Sequence, residues 1–289
     1  MPTHDVVMIG RIVSVWRYPV KSMLGEELNA SQVTERGLLG DRAYAFIDPT
    51  NGKIVSAKNP SKWSKMFECR ASFIAPPVSG EKLPNVRMTL QDGVSVSSDQ
   101  PDVNRVVSSK LGREVELKSI APQAPSLEEY WPDIEGLANR EIVTDEGIAS
   151  GAPAGTFFDF SAIHFVTTAT LNRLHDSYPQ GRFELQRFRP NFVIEPASGE
   201  KGFPENAWAG RTLLIGDQLR LNVIIPCARC VMTTMAQGTL PKDPGILRTI
   251  AQQNKPMIAA LGAALPSVGA YASVASAGMA RVGDIVRLE

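Results

Sequence analysis

The sequence predicts a mixed, β-rich α+β fold in two parts, and three observations carry that prediction. Short runs of alternating apolar residues recur along the whole chain, as half-buried strands require, while helical spacing is confined to three brief stretches. The 289 residues exceed the usual size of one compact domain. A Pro-, Ala-, Gln- and Ser-rich segment, Ile120 to Ser126, supplies a linker. The expected division is therefore one β-rich unit over residues 1–120 and a second, with short helices, over 121–289.

Val7, Ile9, Val13 and Val15 share a face at period two, interrupted by Arg11, and the run ends at Tyr18-Pro19. Ala43 to Ile47 reads as a second strand, closed by the turn composition Asp48-Pro49-Thr50-Asn51-Gly52. Ala71 to Ala75, Arg87 to Leu90, Val94 to Val96 and Glu114 to Leu117 read as further strands. Among them, Pro101 to Leu111 has helical spacing at Val103, Val106 and Val107, with Asp102 suited to its first turn.

Past the linker, the Gly/Ala/Pro tract from Gly147 to Gly155 is a rival boundary, read here as a loop. Ile163 to Val166 is a strand that turns into a helix at Thr167-Thr168-Ala169-Thr170, with Leu171 and Leu174 on one face. Phe192 to Ile194, Leu213 to Ile215, Gln218 to Ile225 and Asp284 to Leu288 are strands. Two of them carry a Gly-Asp pair, Gly216-Asp217 and Gly283-Asp284, between apolar alternations, which suits the corners of a small β-barrel. Asp243-Pro244 is a helix start leading into Ile246, Leu247, Ile250 and Ala251.

Lys plus Arg and Asp plus Glu each number 30. That balance argues against a general nucleic-acid or anionic-membrane binder but leaves room for a local basic pocket. Met257 to Ala280 has no charge, yet it is dominated by Ala, Gly and Ser and carries Pro266, so it reads as packed loop and strand rather than a membrane span. Met1-Pro2-Thr3-His4-Asp5 has no signal-peptide pattern, and three cysteines cannot build a secreted disulfide framework. A cytoplasmic protein is expected.

The densest chemistry lies in Pro226-Cys227-Ala228-Arg229-Cys230-Val231-Met232-Thr233-Thr234, after an apolar strand. Alone, its C-x-x-C has three readings. Structural zinc needs four ligands, and one further cysteine with three scattered histidines does not supply them convincingly. A thioredoxin-type dithiol would follow a βαβ frame, which is missing here. A pair of buried inert thiols is the reading that spacing alone favours. Arg229 raises the odds of function, since a cation beside a thiol stabilises the thiolate that binds soft metals. Cys69 reads as structural, His164 as a packing residue, and His175 as the close of a helix.

The Pro-Cys-x-Arg-Cys-x-x-Thr-Thr string resembles the signature of the MOSC (molybdenum cofactor sulfurase C-terminal) family. Three further strings match that family in order: Tyr18-Pro19-Val20-Lys21-Ser22, then Gly40-Asp41-Arg42 with Ser56-Ala57-Lys58, then Arg187-Phe188-Arg189-Pro190-Asn191. The resemblance runs from about Val7 to Leu288 and is strongest to amidoxime- and hydroxylamine-reducing members. It implies a MOSC N-terminal β-barrel domain followed by a MOSC β-barrel domain, and a bound molybdenum cofactor (molybdenum–molybdopterin).

By the same resemblance, Cys230 is the molybdenum ligand and catalytic centre. Lys21, Ser22 and Arg42 would clamp the cofactor phosphate, an anion of about −2 charge, while Arg189 and Asn191 contact the pterin. Thr167, where a strand becomes a helix, is a further contact, with plain N-capping as its alternative. The implied activity is reduction of small N-hydroxylated substrates, fed by a separate electron-donor protein because the chain has no iron–sulfur cysteine set. The alternative is a non-catalytic carrier of the cofactor or of sulfur. One segment departs from the reductase pattern: Met235-Ala236-Gln237-Gly238-Thr239-Leu240-Pro241 stands where an acidic Asp-Pro-x-Thr-Gly stretch is expected.

Overall fold

Seven strands close on themselves: β1 (Val7–Arg17), β2 (Ile163–Thr167), β3 (Phe192–Pro196), β4 (Thr212–Ile215), β5 (Leu219–Ala228), β6 (Ser267–Ser276) and β7 (Ile285–Leu288). Their order in this computed structural model is β3-β2-β6-β5-β4-β7-β1, and β1 pairs back to β3 to complete the barrel. Residues 6–135, 137, 139–197 and 199–289 are described. The Met1 to Asp5 segment, on which the signal-peptide reading rests, lies outside them. The β-rich α+β class is as the sequence predicts. Only β2 and β3 run parallel, and the helix Thr168–Ser177 lies in the crossover that a parallel pair needs.

The barrel crosses the boundary expected at residue 120. Its first strand comes from the start of the chain and the other six from residues 163–288. Strand β1 also departs from the simple alternation read in the sequence. Bulges at Met8/Gly10 and Ile12/Ser14 shift its register, so Ile9, Ile12 and Val15 enter the barrel core while Val13 packs on a second cluster and Val7 is exposed. An extra residue in a strand reverses the face of everything beyond it. Gly10 allows the close pairing, since a Cβ there would meet the Glu195 carbonyl oxygen at 2.3 Å.

The rest of the first half builds a core of its own. The strands Arg70–Phe73, Val86–Thr89 and Ser95–Ser97 and the helix Val103–Leu111 bury Phe67, Met88, Val103 and Val107. Met232 and Met235, from the second half, insert into that same core, with Cys230 packed beside it. Burial of two large side chains there, at roughly 1.5–3 kcal/mol each, locks the Cys230 segment against the first half. The linker leads directly into a hairpin, Ser126–Trp131 paired with Ile142–Gly147, that the sequence reading missed. Its strands carry Glu128, Glu129, Asp145 and Glu146, which masked the alternation. The uncharged Met257 to Ala280 stretch contributes β6, paired on both edges. Among the described residues no helix is long and apolar enough to cross a membrane.

Candidate functional site

Segments from both halves of the chain meet at one cavity. Strand β1 ends in Tyr18-Pro19, and the chain turns so that Lys21 and Ser22 line the cavity, with Ser22 in the left-handed region at φ 64°. Arg42, at φ 45°, and Arg189, at φ 55°, line it too, as do Asn191 and Cys230. Among the described residues only five non-glycine positions have positive φ, and three of them are these site residues. Backbone held in that region costs about 1–2 kcal/mol per residue, so the surrounding contacts must enforce it.

Around Arg42 and Asn191 these contacts centre on Asp41, whose side chain is fully buried. One carboxylate oxygen accepts the Tyr18 backbone N–H at 2.7 Å; the other accepts Arg42 at 2.5 Å and the Asn191 side-chain amide at 2.9 Å. Asn191 also accepts the His164 N–H at 3.0 Å and donates to the Trp16 carbonyl at 3.3 Å. Its amide is thus occupied by protein groups, and it positions the site rather than offering a free edge to a pterin. Arg42 and Arg189 place their guanidinium groups over the Tyr18 ring, 4.5 and 4.3 Å from its centroid. Arg189 also donates to the Met23 carbonyl at 2.7 Å.

The cavity lining is strongly cationic. Lys21, Arg42, Lys58, Arg187, Arg189 and Arg229 face it against a single carboxylate, Asp159. Lys21 is ion-paired to Asp159 and donates to the Phe157 carbonyl at 2.7 Å. Burial pushes the Lys21 ammonium below its ordinary pKa, and Asp159 only partly restores it. Burial disfavours the Asp159 charge in turn, yet Lys21 and Lys58 outweigh it and hold the carboxyl well below the usual range. Burial and the neighbouring Arg42 lower Arg189 to about 10, which leaves it charged at neutral pH. Arg187 is 1% exposed and ties down the loop after the cysteines, donating to the carbonyls of Thr233, Met235 and Pro241 at 2.8–3.0 Å.

Cys230 follows β5 and opens the short 3-10 turn Val231–Thr234, with the Thr233 hydroxyl donating to its carbonyl at 3.0 Å. Of the three cysteines it alone is not fully buried. Burial pushes its thiol up to about 12; Glu129 adds to that rise and Lys58 opposes it. Arg229 therefore does not activate it as the sequence suggested. Its guanidinium turns away, donating to the carbonyls of Phe188 at 3.0 Å and Val268 at 2.5 Å and contacting His164. A metal must displace the Cys230 proton, as coordination does outright.

Thr167 is not part of this cavity. It caps the helix Thr168–Ser177, accepting the Thr170 N–H at 3.1 Å, and its hydroxyl donates to the buried Glu205 at 2.8 Å. The capping alternative is the correct one. Cys69 is buried, as read. His164, read as packing, is buried but lines the cavity, and burial together with Arg229 keeps it neutral well below its ordinary pKa. Sequence reasoning also missed Asp159, Tyr271 and the role of Lys58, although Lys58 stood in a string it had singled out.

Among the described residues no three His, Cys, Asp or Glu side chains group as metal ligands. A metal here would need most of its ligands from a carrier molecule, with Cys230 as the protein's single soft donor. The cationic lining fits the phosphate-bearing pterin that would bring them.

Comparison with known proteins matches two regions of the chain to described domains. The MOSC domain matches residues 153–287, and the MOSC N-terminal beta barrel domain matches residues 9–67. The chain is similar to mitochondrial amidoxime reducing component 2 of Rattus norvegicus, at 25% identity over 98% of this chain and 84% of that protein. The Homo sapiens protein of the same name is 26% identical, over 96% and 83%. Mitochondrial amidoxime-reducing component 1 of Mus musculus is 24% identical, over 97% and 82%.

Proposed function

The chain belongs to the MOSC family, and from that premise we propose that it is a molybdenum-cofactor-dependent oxidoreductase that reduces small N-hydroxylated compounds. The observation that carries this reading is the placement of Cys230, the one incompletely buried thiol, on the wall of a cavity faced by six cations and one carboxylate. A phosphate-bearing, sulfur-donating cofactor needs that combination: one soft protein ligand and an anion-binding surface. The relatives are amidoxime reducing components by name, and that supplies the substrate class.

In this reading Cys230 ligates the metal. Arg42 and Arg189 keep guanidinium N–H groups beyond those used by Asp41, the Arg189 carbonyl and the Met23 carbonyl, and these hold the anionic cofactor together with Lys58. Lys21 and Ser22 act behind them. Lys21 is held by Asp159, and the Ser22 hydroxyl accepts the Ala57 N–H at 3.1 Å, fixing the segment that carries Lys58. When bound, the cofactor supplies the electron pair that cleaves an N–O bond. Overall, a hydroxylamine plus two electrons and two protons gives the amine and water, and the electrons come from a separate donor protein.

The test is metal and pterin analysis of protein from a cofactor-competent host, followed by turnover with reduced viologen as donor. Near-stoichiometric molybdenum and conversion of benzamidoxime to benzamidine are expected. Zinc or no metal would overturn the cofactor assignment. Loaded, reducible protein that hands its cofactor to an apo-enzyme but reduces no N–O compound would replace the reductase with a carrier.

A further inference from the structure

Cys230 is shared by a second cavity, of about 230 Å³, on the other side of the wall formed by Lys58, Asp159, Arg229 and Tyr271. A cavity of roughly 150 Å³ suffices for benzene, so this one accommodates an aromatic ring with a polar head. Trp131, Ile148, Phe160, Pro226 and Leu265 give it an apolar body. Two carboxylates, Glu129 and Glu146, complete it.

The two acids differ. Glu129 is paired with Lys58 at 3.0 Å. Glu146 has no cationic partner among the described residues; only the Thr144 hydroxyl donates to it, at 2.6 Å. Thr144 in turn accepts the Trp131 indole N–H at 2.8 Å. Trp131, Thr144 and Glu146 lie on one face of the hairpin Ser126–Trp131/Ile142–Gly147, because Leu127 pairs with Glu146, Glu129 with Thr144 and Trp131 with Ile142. Trp131, Glu129 and Glu146 all face this cavity. The relay fixes one carboxylate oxygen and leaves the other for a ligand. Neither cation of the shared wall pairs with Glu146: Lys58 is paired with Glu129, and Arg229 donates to main-chain carbonyls. The hairpin lies between the two family-matched segments, residues 9–67 and 153–287.

We infer that this second cavity seats the organic body of the substrate, and that Glu146 accepts N–H bonds from a flat head of the amidine or guanidine class. A carboxylate accepts two parallel N–H bonds from such a head, and aromatic walls favour its face. The inference rests on the proposed reaction at Cys230 only for the word substrate, because the binding preference belongs to the chain alone.

The experiment therefore measures equilibrium binding to the full chain as purified, without cofactor, using benzamidine, benzamide and benzoate. Benzamidine should bind at least tenfold more tightly than benzamide, and benzoate should not compete. Glu146→Gln should bring benzamidine and benzamide to within about twofold while molybdenum loading stays unchanged. Trp131→Ala should weaken both. Equal binding of the three probes, binding of none, or an undiminished benzamidine preference in E146Q overturns the inference. Selective benzamidine binding in protein that never acquires molybdenum would overturn the proposed function and leave the cavity assignment standing.

Discussion

Arg42→Ala distinguishes a surface cation from a structural one. Read from the sequence, Arg42 is a free phosphate clamp, and its loss should leave the cofactor-free protein as stable as before. The structure says otherwise. Arg42 donates to the fully buried Asp41 at 2.5 Å and lies 4.5 Å from the Tyr18 centroid. A hydrogen bond between charged groups contributes about 1.5–3 kcal/mol and the cation–ring contact about 0.5–1 kcal/mol. Breaking a fully buried pair costs more, about 3–5 kcal/mol, but the Arg42 side chain is 14% exposed, so the lower range applies. A loss of about 2–4 kcal/mol corresponds to a fall of roughly 3–7 °C in Tm for a chain of this size. The positive φ of 45° is shared by Arg and Ala and cancels between them. Arg42→Gly should relieve it and recover up to about 1 kcal/mol of the loss. Thermal unfolding of protein from a host without cofactor synthesis gives both values, and molybdenum per chain from a competent host gives the effect on loading, expected to fall about tenfold or more. A Tm shift under about 1.5 °C, less than about 1 kcal/mol at this size, would show that Asp41 does not depend on Arg42 and would refute the network.

Two further perturbations test the electrostatics. With its thiol pushed up to about 12, Cys230 in cofactor-free protein should alkylate far more slowly than an ordinary thiol at pH 8, and its rate should still be climbing above pH 9. Site-resolved mass spectrometry would refute this by finding rapid labelling at neutral pH, and Cys227→Ser, which alters a buried thiol, should leave the Cys230 profile in place. His164 is held neutral by burial and by Arg229, so its folded pKa lies below the ordinary 6.5. The unfolded chain then binds more protons, and the stability His164 contributes is complete above about pH 6.5 and lost as pH falls below it. His164→Gln should flatten that part of the stability profile, and an unchanged slope between pH 6.5 and 5 would place the loss elsewhere.

Much of the site was legible because three of the four singled-out strings sit at the ends of strands that the barrel brings together. Lys21 and Ser22 follow β1, Cys230 follows β5, and Arg189 and Asn191 precede β3. Strand positions were readable from alternation, and the helix at Thr168 from its capping threonine. What was not legible depends on direction. The bulges in β1 change which residues enter the core, and no local pattern announces an inserted residue. Arg229 stands one residue from Cys230, so its charge looked available, yet its side chain turns to Val268 and Phe188. Asp159 lies far from every string in sequence and becomes the counter-ion of both Lys21 and Lys58 only in the fold. The hairpin was hidden by its own acidic residues, two of which face the second cavity.

The strained backbone and the crowded charge have one physical explanation. Ser22, Arg42 and Arg189 hold left-handed conformations that glycine would adopt freely, yet two of these positions carry the guanidinium groups that line the cavity. Asp41 and Asn191 hold them there by bonds to the backbone of Tyr18 and His164 and to Arg42, so the cost of strain is met by buried polar contacts rather than by the ligand. Six cations line that cavity, and although Asp159 in its lining and Asp41 and Glu129 behind it pair with three of them, positive charge stays in excess there and repels. An anion entering that cavity relieves the repulsion without moving the backbone, and the stability it adds grows with its affinity and concentration. A preformed site of this kind gains affinity because little must be ordered on binding. The same rigidity fixes Cys230, whose segment is locked by Met232 and Met235 into the core of the first half. The cationic wall of the cavity and the Cys230 thiol are thereby set at a constant separation by two halves of the chain that share one seam.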